Sequence, residues 1–595
     1  MNILKRLQAT FHQALAGLVE DAAPYAAMVK PAGDPRFGDY QANCAMSLAK
    51  VLKRKPPEVA RDIVGRLDLG DWLQPPEVAG PGFINLRLRD DWLAARLRAV
   101  AADERLGVDR ANPPRTYVVD YSSPNVAKPM HVGHLRSTII GDALARLLRF
   151  LGHRVIADNH LGDWGTQFGM LLYGYKHFRD EAALKADPVR EMARLYVLVR
   201  EMTKAAGEEE EDEKESAKSK YTEAERESAR KVLEACRQET AKLHAGDPEN
   251  VRLWQQFMPW CREDIERIYQ RLGVRFDYTH GESFYNPMLP GVVEDLLRKG
   301  IAEESKGAIV VFFGENEPPA LVRKSDGAFT YMTSDLATIR HRMETWQPDA
   351  ILYAVDFRQG LHFKQLFEIA RRWGYDKVAL EHVSFGSVLG KDGKPIKTRE
   401  GGAVELGSLL DEAVARARQV VDENSPELPE SDREKVAEVV GVGAVKYADL
   451  SQNRTSDYKF DWDKMLAMDG NTAAYMQYAY ARNRSIFRKG NEDPVRFRTQ
   501  PPLPILETPE ERALALQMLR FEDALNSASA EYKPNFITAY LWDLAKAYSV
   551  FNTNCRVLQA ETPQLRQSRL LLCDLTARVI QRGLDLLGIR TVERM

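Results

Sequence analysis

The middle of the 595-residue chain alternates short strand-like apolar runs with longer segments whose apolar residues recur at helical spacing. The run 117–121 predicts a buried strand, and a helix is predicted to begin near His131. The apolar positions of that helix recur every four residues, at Leu135, Ile139, Ala143, Leu147 and Leu151. Strands and helices in alternation predict an α/β region built on a parallel sheet.

Two segments of turn-forming residues, 107–114 and 422–429, interrupt this pattern. The second of them precedes a largely helical stretch, and a highly charged helical insertion runs from about 190 to 290. We therefore predict a multidomain α/β protein. Its parts are an α+β N-terminal domain over 1–110, a Rossmann-type parallel-sheet domain over 111–425 and an all-α C-terminal domain over 430–595.

Composition narrows the class of protein without identifying it. The formal net charge is only −3, so any RNA-binding surface must be a local basic one, and the acidic run 207–214 suits a solvated helix start or loop. The five cysteines have no CxxC spacing, which predicts buried thiols in a cytoplasmic protein without a structural metal. No apolar run is long enough to span a membrane. The segment 1–15 has the spacing of an amphipathic helix rather than of a signal peptide.

The segment between the predicted strand and helix carries the strongest chemical pattern. It runs Ser122-Ser-Pro-Asn-Val-Ala-Lys-Pro-Met-His131 and continues to His134. A helix that follows a strand of a parallel sheet presents unpaired N–H groups that suit a phosphate. His131 and His134 lie one turn apart, and Gly133 leaves room for a nucleotide. The alternatives are two ordinary histidines at a helix start or two ligands of a zinc ion.

A second candidate for phosphate binding follows the strand-like run 383–389. It is the basic segment Lys391-Asp-Gly-Lys-Pro-Ile-Lys-Thr-Arg399, with Gly390 before it and Gly401 and Gly402 after it. Three lysines and an arginine on a glycine-flanked loop suit a polyphosphate. The alternative is a solvated basic hairpin.

These motifs carry a resemblance to a known family. His131-Val-Gly-His134 resembles the HIGH motif of class I aminoacyl-tRNA synthetases, and the longer segment from Ser122 resembles the arginyl members in particular. The basic loop stands where the family has KMSKS, and 394–399 departs from that motif. Many arginyl members share this departure, and the lysine before HIGH is thought to compensate. The residue that would meet pyrophosphate is therefore left open between Lys128, Lys394 and Lys397.

The resemblance implies a set of residues around arginine and ATP. Asp120, at the end of the predicted strand, also suits a bound cation on physical grounds, because parallel sheets bind ligands at strand ends. Ser334 or Asp335 could alternatively cap a helix, and Asp356 and His362 could belong to a buried structural network. The implied arginine contacts are Asp120, Ser122, Asn125, Tyr331, Asp335 and Gln359, and the implied ATP contacts are Gly133, His134, Asp356, His362 and Lys397.

The resemblance extends to regions that bind tRNA in the family. Phe83 and Asn85 would meet the tRNA elbow, with sheet packing as the alternative. Tyr475, Tyr478 and Arg482 fall on one face of a predicted helix, where aromatic rings and arginine suit splayed anticodon bases. A core-facing tyrosine stripe is the alternative there. The final residue, Met595, could lie against the anticodon stem-loop.

Taken together, the resemblance covers nearly all of the chain and implies an arginine–tRNA ligase. Such an enzyme uses ATP with Mg²⁺ to form arginyl-adenylate and then charges tRNA(Arg), releasing AMP and pyrophosphate. It would be a cytoplasmic monomer, with no DNA or membrane partner. The alternatives are another class I synthetase, an HxGH nucleotidyltransferase with added domains, and a non-enzymatic RNA-binding relative.

Overall fold

The computed structural model describes residues 2–206, 221–314, 317–390, 392–394, 396 and 404–595. Within these residues the chain divides into two compact units, which we name by their composition. The terminal unit comprises 1–111, 417–451 and 463–595, and the sheet unit comprises 112–416 and 452–462.

The N-terminal part of the terminal unit is α+β, as predicted. Its antiparallel sheet has the order β1–β2–β4–β3, with β1 (Val29–Pro31), β2 (Tyr40–Ala42), β3 (Glu77–Ala79) and β4 (Phe83–Leu86). Its helices are Ile3–Leu15, Ala23–Ala26, Cys44–Leu52, Pro56–Arg66 and Asp90–Ala102. The first of these is the predicted amphipathic helix, which buries Leu7 and Phe11 in the core beside the sheet.

The C-terminal part of the terminal unit is all helical, as predicted. The helices are Glu430–Leu450, Ala473–Gly490, Arg496–Thr499, Pro509–Leu519, Phe521–Glu531, Asn535–Asn554 and Pro563–Leu586. The last of them is followed by Gly588, whose φ of +67° suits glycine. Charged contacts join this part to the N-terminal part: Arg512 pairs with Asp39 at 2.6 Å, and Arg578 donates to the Ala101 carbonyl at 2.6 Å.

The described residues of the sheet unit form ten strands. They are β5 (Thr116–Asp120), β6 (Arg154–Leu161), β7 (Tyr278–Gly281), β8 (Glu303–Ser305), β9 (Ala308–Val311), β10 (Ala320–Arg323), β11 (Ala350–Tyr353), β12 (Ala379–His382), β13 (Val388–Leu389) and β14 (Tyr458–Lys459). Five of them form a parallel sheet in the order β12–β11–β5–β6–β7. The parallel sheet predicted from the alternation is therefore confirmed.

The strand order of the parallel sheet reverses beside β5. The chain passes from β5 to β6 and β7 on one side, and β11 and β12 follow on the other side. Parallel α/β sheets bind ligands at such a reversal, outside the carboxyl ends of the strands. The last four residues of β5 are buried, which is the pattern of a strand covered on both faces.

Helices surround this sheet. They are Val132–Phe150, Thr166–Phe178, Glu181–Ala186, Pro188–Thr203, Glu223–His244, Pro248–Leu272, Glu282–Tyr285, Leu289–Arg298, Tyr331–Trp346 and Gly360–Trp373. Two more, Leu406–Asn424 and Trp462–Met465, extend across the boundary between the units in the sequence. Gly141 lets the first of these helices approach the turn after β5, because a Cβ there would lie 2.2 Å from Tyr121.

Two of the helices between β6 and β7, Glu223–His244 and Pro248–Leu272, are called the insertion helices below. Thr222 and Glu225 form a capping box at the start of the first. That helix packs closely on Thr166–Phe178, because a Cβ at Gly169 would lie 2.1 Å from the Thr240 hydroxyl. The first insertion helix therefore packs directly on Thr166–Phe178, the first helix after β6.

Candidate active site

The helix Val132–Phe150 starts with two histidines that cap each other. His131 is the N-cap residue, and its Nδ1 accepts a hydrogen bond from the Gly133 N–H at 3.1 Å. The Nδ1 of His134 accepts a hydrogen bond from the His131 N–H at 3.1 Å. Since both Nδ1 atoms act as acceptors, each neutral ring carries its proton on Nε2. The pair therefore keeps two Nε2–H groups as donors, with ring centroids 4.0 Å apart.

The surroundings of these rings favour the neutral form. Burial, assisted by the positive charge of Lys128, lowers the pKa of His131 to about 4. Burial also lowers the pKa of His134 well below its ordinary value. Gly133 is constrained by the same geometry, because a Cβ there would lie 2.8 Å from the His131 ring. Two neutral donors at a helix N-terminus suit an anionic ligand.

The chain after the predicted basic loop returns to these histidines. The Val132 N–H donates to the Val404 carbonyl at 2.9 Å, and the Leu406 N–H donates to the Met130 carbonyl at 2.9 Å. Before the loop, β13 pairs in parallel with β14. The described residue that follows the basic loop therefore lies directly beside the histidine pair.

Of the lysines predicted to meet phosphate, Lys128 is half-buried and lies close enough to His131 to lower its pKa. Lys394 is exposed on a turn in which its carbonyl accepts the Gly390 N–H at 2.7 Å. Lys397 lies outside the described residues.

At the end of β5, Asp120 forms an ion pair with Arg342 of the same chain. Nη2 of Arg342 lies 2.6 Å from Oδ2 of Asp120 and 2.8 Å from Oδ2 of Asp158, at the adjacent position of β6. The guanidinium is fully buried; burial lowers the pKa of Arg342, but the two carboxylates outweigh it and raise that pKa well above its ordinary value. Asp120 also accepts a hydrogen bond from the Ser123 hydroxyl at 3.1 Å. Sequence analysis did not single out Arg342, which lies far along the chain.

The two serines after β5 hold a strained turn. Ser122 has φ +73° and Ser123 has φ +46°, which few non-glycine residues adopt. The Ser122 hydroxyl is buried and lies 2.8 Å from the hydroxyls of Thr138 and Tyr269. Asn125 follows on the same loop, and its Oδ1 accepts the Ala127 N–H at 3.0 Å. The loop thus reaches the histidines in a conformation held by buried hydroxyl contacts.

Tyr331 and Asp335 lie on one face of the helix Tyr331–Trp346. The helix follows Thr330 as its N-cap, so the expectation that Ser334 or Asp335 caps it is wrong. The cause is that the helix starts one turn earlier than the sequence pattern indicated. Tyr331 is 69% exposed, and Oδ2 of Asp335 lies 2.6 Å from Nε2 of His362. The two residues that the family resemblance paired are thus one turn apart, and Asp335 contacts His362.

Glu282 is a candidate that sequence analysis missed. It follows β7 directly, at the start of the helix Glu282–Tyr285. Its pKa is raised to about 7, chiefly by burial; the negative charges of Asp163 and Asp335 add to the rise, whereas His160 and the Trp164 N–H oppose it. A carboxylate with such a pKa at a strand end is a functional-site candidate. The strand-end rule could have found it, but β7 was taken as part of the charged insertion.

The remaining candidates on this side follow β11. Asp356 is the N-cap of the short 3₁₀ helix Phe357–Gln359 and accepts the Arg358 N–H at 2.9 Å. Gln359 is exposed and directly precedes the helix Gly360–Trp373, which carries His362. The carboxyl ends of β5 and β11 thus carry four of the six predicted arginine contacts, and the end of β7 adds Glu282.

The candidates for tRNA binding lie in the terminal unit. Phe83 is half-buried on β4, and Asn85 is buried with its Oδ1 accepting from Gln41 Nε2 at 2.8 Å. On the helix Ala473–Gly490, the Tyr475 ring packs edge-on against Trp542 at 5.3 Å. Further candidates are Tyr478, which is 38% exposed, Arg482, which is exposed, and Met595, which is half-buried against the small cluster that contains Val440.

Two further features concern the predicted chemistry. All five cysteines are buried and free. Among the residues that the structure describes, no group of three or more His, Cys, Asp or Glu side chains is arranged to hold a metal ion. In the same residues, no helix is long and apolar enough to cross a membrane.

Three family models match consecutive parts of the chain. Residues 5–88 match the arginyl tRNA synthetase N terminal domain. Residues 96–462 match the catalytic domain of class I tRNA synthetases (R), and residues 476–595 match the DALR anticodon binding domain. The class I model alone covers more than half of the chain.

Curated proteins and solved structures agree with the family models. The chain is 44% identical to the arginine–tRNA ligase of Rhodopirellula baltica and 45% identical to that of Escherichia coli, each over 100% of both chains. The arginyl-tRNA synthetase of Plasmodium falciparum superposes with a TM-score of 0.80 at 28% identity, over 100% of this chain and 99% of the other. The Thermus thermophilus arginyl-tRNA synthetase does so with a TM-score of 0.78 at 26% identity, over 100% of both.

Proposed function

Since the chain belongs to the arginyl-tRNA synthetase family, we propose how its own residues perform the reaction of that family. The protein is an arginine–tRNA ligase, which uses ATP to attach arginine to tRNA(Arg). In the first step an oxygen of the arginine carboxylate forms a bond to the α-phosphorus of ATP as the bond to pyrophosphate breaks. In the second step the terminal ribose 2′-OH of the tRNA takes the arginyl group, and AMP leaves.

His131 and His134 stabilise the charge that develops on the phosphates during adenylate formation. Their Nδ1 atoms accept backbone hydrogen bonds, so each Nε2–H is oriented by the helix start. Their lowered pKa values keep both rings neutral, which leaves them as donors rather than proton sources. Donors that are already oriented contribute most when charge grows in the transition state. Gly133 provides the close approach for the nucleotide, and Asp356 and His362 lie toward the adenosine.

A lysine completes the pyrophosphate site. Lys128 is supported by its proximity to His131, and Lys394 and Lys397 belong to the loop whose far end returns to the histidines. Each lysine contributes a point charge to the leaving group. ATP would enter with Mg²⁺, which would neutralise part of the phosphate charge beside the histidines and the lysine.

Two carboxylates, Asp335 and Glu282, bind the arginine guanidinium. The proximity of Asp335 raises the pKa of Glu282, so the two negative charges act on one region. An incoming guanidinium relieves this repulsion and can be held by both carboxylates. The Tyr331 ring, largely exposed at the start of the Asp335 helix, packs on the alkyl stem.

The other end of arginine lies nearer the histidines. Asp120 already carries the Arg342 guanidinium on Oδ2, and its Oδ1 accepts the Ser123 hydroxyl; the remaining lone pairs of Oδ1 and of that hydroxyl oxygen can accept the α-ammonium group. Asn125 and Gln359 orient the carboxylate and amino groups from the adjacent loops, and the buried Ser122 hydroxyl keeps the first loop in its strained form. This orientation directs the arginine carboxylate toward the α-phosphate.

The terminal unit binds the tRNA. Tyr475, Tyr478 and Arg482 offer rings and a planar cation to anticodon bases, with Met595 close by in the chain's last segment. Phe83 and Asn85 contact the tRNA elbow from β4. The division into 1–110, 111–425 and 430–595 assigns elbow binding, catalysis and anticodon binding to one domain each. The protein acts as a cytoplasmic monomer.

The observation that carries the assignment to arginine is the paired negative charge of Glu282 and Asp335 beside an exposed tyrosine. The test is ATP–pyrophosphate exchange with each of the amino acids in turn, with and without tRNA. We expect exchange with arginine alone. Exchange with another amino acid would exclude these carboxylates as the determinants of specificity.

A further inference from the structure

A two-residue segment, Asp163 and Trp164, lies between the arginine pocket and the insertion helices. It follows β6, whose last residue is Leu161. One side of the segment contacts the residues around Glu282, and the other side contacts the ends of the insertion helices. All of these residues belong to the sheet unit.

On the pocket side, Asp163 holds the turn that carries Glu282. Asp163 is 2% exposed, and its two oxygens accept the Ser283 N–H at 2.8 Å and the Ser283 hydroxyl at 2.6 Å. Gly281 is pressed against the same carboxylate, because a Cβ there would lie 2.0 Å from Asp163 Oδ2. The residues on both sides of Glu282 are therefore fixed by one buried side chain.

Trp164 lies close to Glu282. Its backbone N–H opposes the rise in the pKa of the Glu282 carboxyl group. A nearby N–H favours the ionised form, which is the form that binds a guanidinium. The position of the Trp164 backbone therefore affects the charge of Glu282.

On the other side, a side chain from each insertion helix hydrogen-bonds to the backbone carbonyl of Asp163 or of Trp164. Nε1 of Trp254 donates to the Asp163 carbonyl at 2.9 Å. Nε2 of His244 lies 2.7 Å from the Trp164 carbonyl, and its ring stacks on the Trp164 ring at 5.2 Å with an angle of 11°. The Trp254 ring meets the Trp164 ring edge-on, also at 5.2 Å.

The residue just before this segment, Gly162, contacts the loop that precedes the histidines. The Val126 N–H donates to the Gly162 carbonyl at 3.0 Å, and the Gly162 N–H donates to the Pro124 carbonyl at 3.1 Å. Asn125, between these two residues, is one of the proposed arginine contacts. Gly162 and the Asp163–Trp164 segment together thus border both ends of the arginine site.

We propose that Asp163 and Trp164 are positioning residues for arginine binding, and that Trp254 and His244 couple the insertion helices to the arginine pocket through them. The proposal rests on the proposed role of Glu282 as a guanidinium ligand. Displacement of either insertion helix loosens Glu282 and weakens arginine binding. Because binding free energies are reciprocal, arginine binding equally stabilises the insertion helices in this position.

The most direct test removes single contacts. Trp254→Phe deletes the hydrogen bond to Asp163 and keeps an aromatic ring, whereas Ser283→Ala deletes the hydroxyl contact and Ser283→Thr restores a hydroxyl. The matched control is Trp260→Phe, the same exchange on the same helix at a ring that stacks on Phe257. Arginine Kd is measured by equilibrium dialysis, with thermal unfolding recorded for each variant.

We expect Trp254→Phe and Ser283→Ala to raise the arginine Kd about 3- to 10-fold, the effect of about one net hydrogen bond. Trp260→Phe and Ser283→Thr should stay close to the unsubstituted protein. The ATP KM should be unchanged in all four variants, because the nucleotide binds at the histidine pair.

The pH profile separates positioning from a general loss of stability. Arginine binding should weaken on the acid side as Glu282 takes up a proton, with an apparent pKa set by burial and by Asp163, Asp335 and His160, which face it. Loosening Trp164 in Trp254→Phe should move this acid limb to higher pH. Glu282→Gln should abolish it.

The outcomes distinguish two failures. If Trp254→Phe and Ser283→Ala lower the unfolding temperature but leave the arginine Kd and the acid limb in place, the coupling is refuted while the role of Glu282 stands. If Glu282→Gln leaves the arginine Kd unchanged, the proposed guanidinium site is itself refuted.

Discussion

Two carboxylates at strand ends of the same sheet, Asp120 and Glu282, stand in opposite electrostatic surroundings. Asp120 has the buried Arg342 guanidinium 2.6 Å away. For Glu282, by contrast, burial together with the negative charges of Asp163 and Asp335 raises the pKa to about 7. A carboxylate in such surroundings gains most from an added cation. This contrast supports the proposal that the substrate guanidinium binds at Glu282 and Asp335, with Asp120 at the opposite end of arginine.

The largest expected effect tests the Asp120 side. Arg342→Ala should lower the free energy of unfolding by about 3–5 kcal/mol, because it leaves Asp120 and Asp158 buried without their counter-charge. Urea denaturation measures this loss. The control is Arg340→Ala on the same helix, whose partner Glu344 is exposed, and which should cost about 1 kcal/mol or less. Equal losses in both variants would show that Arg342 does not neutralise a buried pair.

The next effect tests the Glu282 side through its neighbour. Asp335→Ala should raise the arginine KM by about 30-fold or more with folding intact, since truncating one partner of a desolvated charge pair costs about 2–5 kcal/mol. Aminoacylation kinetics and circular dichroism measure the two properties. Glu344→Ala, on the same helix, is the control and should leave the KM unchanged. An unchanged KM in Asp335→Ala would remove that residue from the pocket.

A smaller effect is expected when Glu282 and Asp120 are each replaced by their amides and the variants are compared. Citrulline has the shape of arginine without the guanidinium charge, so the ratio of the two affinities reports on guanidinium recognition. Glu282→Gln should reduce this ratio about 10-fold, the loss of one charge-assisted hydrogen bond. Asp120→Asn should weaken both ligands to the same degree. Competitive inhibition of aminoacylation by citrulline gives the ratio, and the reverse pattern in the two variants would exchange their roles.

The smallest effect concerns stability and pH. The folded-state pKa of Glu282, about 7, lies above the ordinary value of 4.5, so the folded protein binds this proton more tightly than the unfolded chain. Its favourable contribution is complete below about pH 4.5 and is lost as pH rises through 7. Relative to Glu282→Gln, the protein should therefore lose on the order of 1 kcal/mol of unfolding free energy between pH 5.5 and 8. Urea midpoints across this range would contradict the prediction if the difference were constant.

Much of the architecture was predictable because it depends on local patterns. The strand ending at Asp120 and the helix starting after His131 follow from apolar spacing and from the turn between them. The all-α C-terminal region follows in the same way. The edge strand β7 was missed because it has only four residues and follows a long charged helical segment. That omission also hid Glu282.

The candidate site likewise contains residues that the sequence predicted and residues that it did not. The histidine pair was recognisable from spacing, and Tyr331 and Asp335 from the resemblance to the arginyl enzymes. Thr330 rather than Ser334 or Asp335 is the N-cap, because several serines, threonines and acidic residues compete for such a role in one short segment. Arg342 carries no motif and is recognisable only by the two carboxylates it meets.

The sequence by itself determined the order of elements, the turn that leads to the histidine pair and the family, because these depend on residues that are close together in the chain. Only the tertiary structure decided which charges face each other. Arg342 meets Asp120 across 222 positions of sequence, and Glu282 acquires its pKa from groups on three other segments. Electrostatic interaction depends on distance in space and on burial, and neither quantity is contained in local sequence.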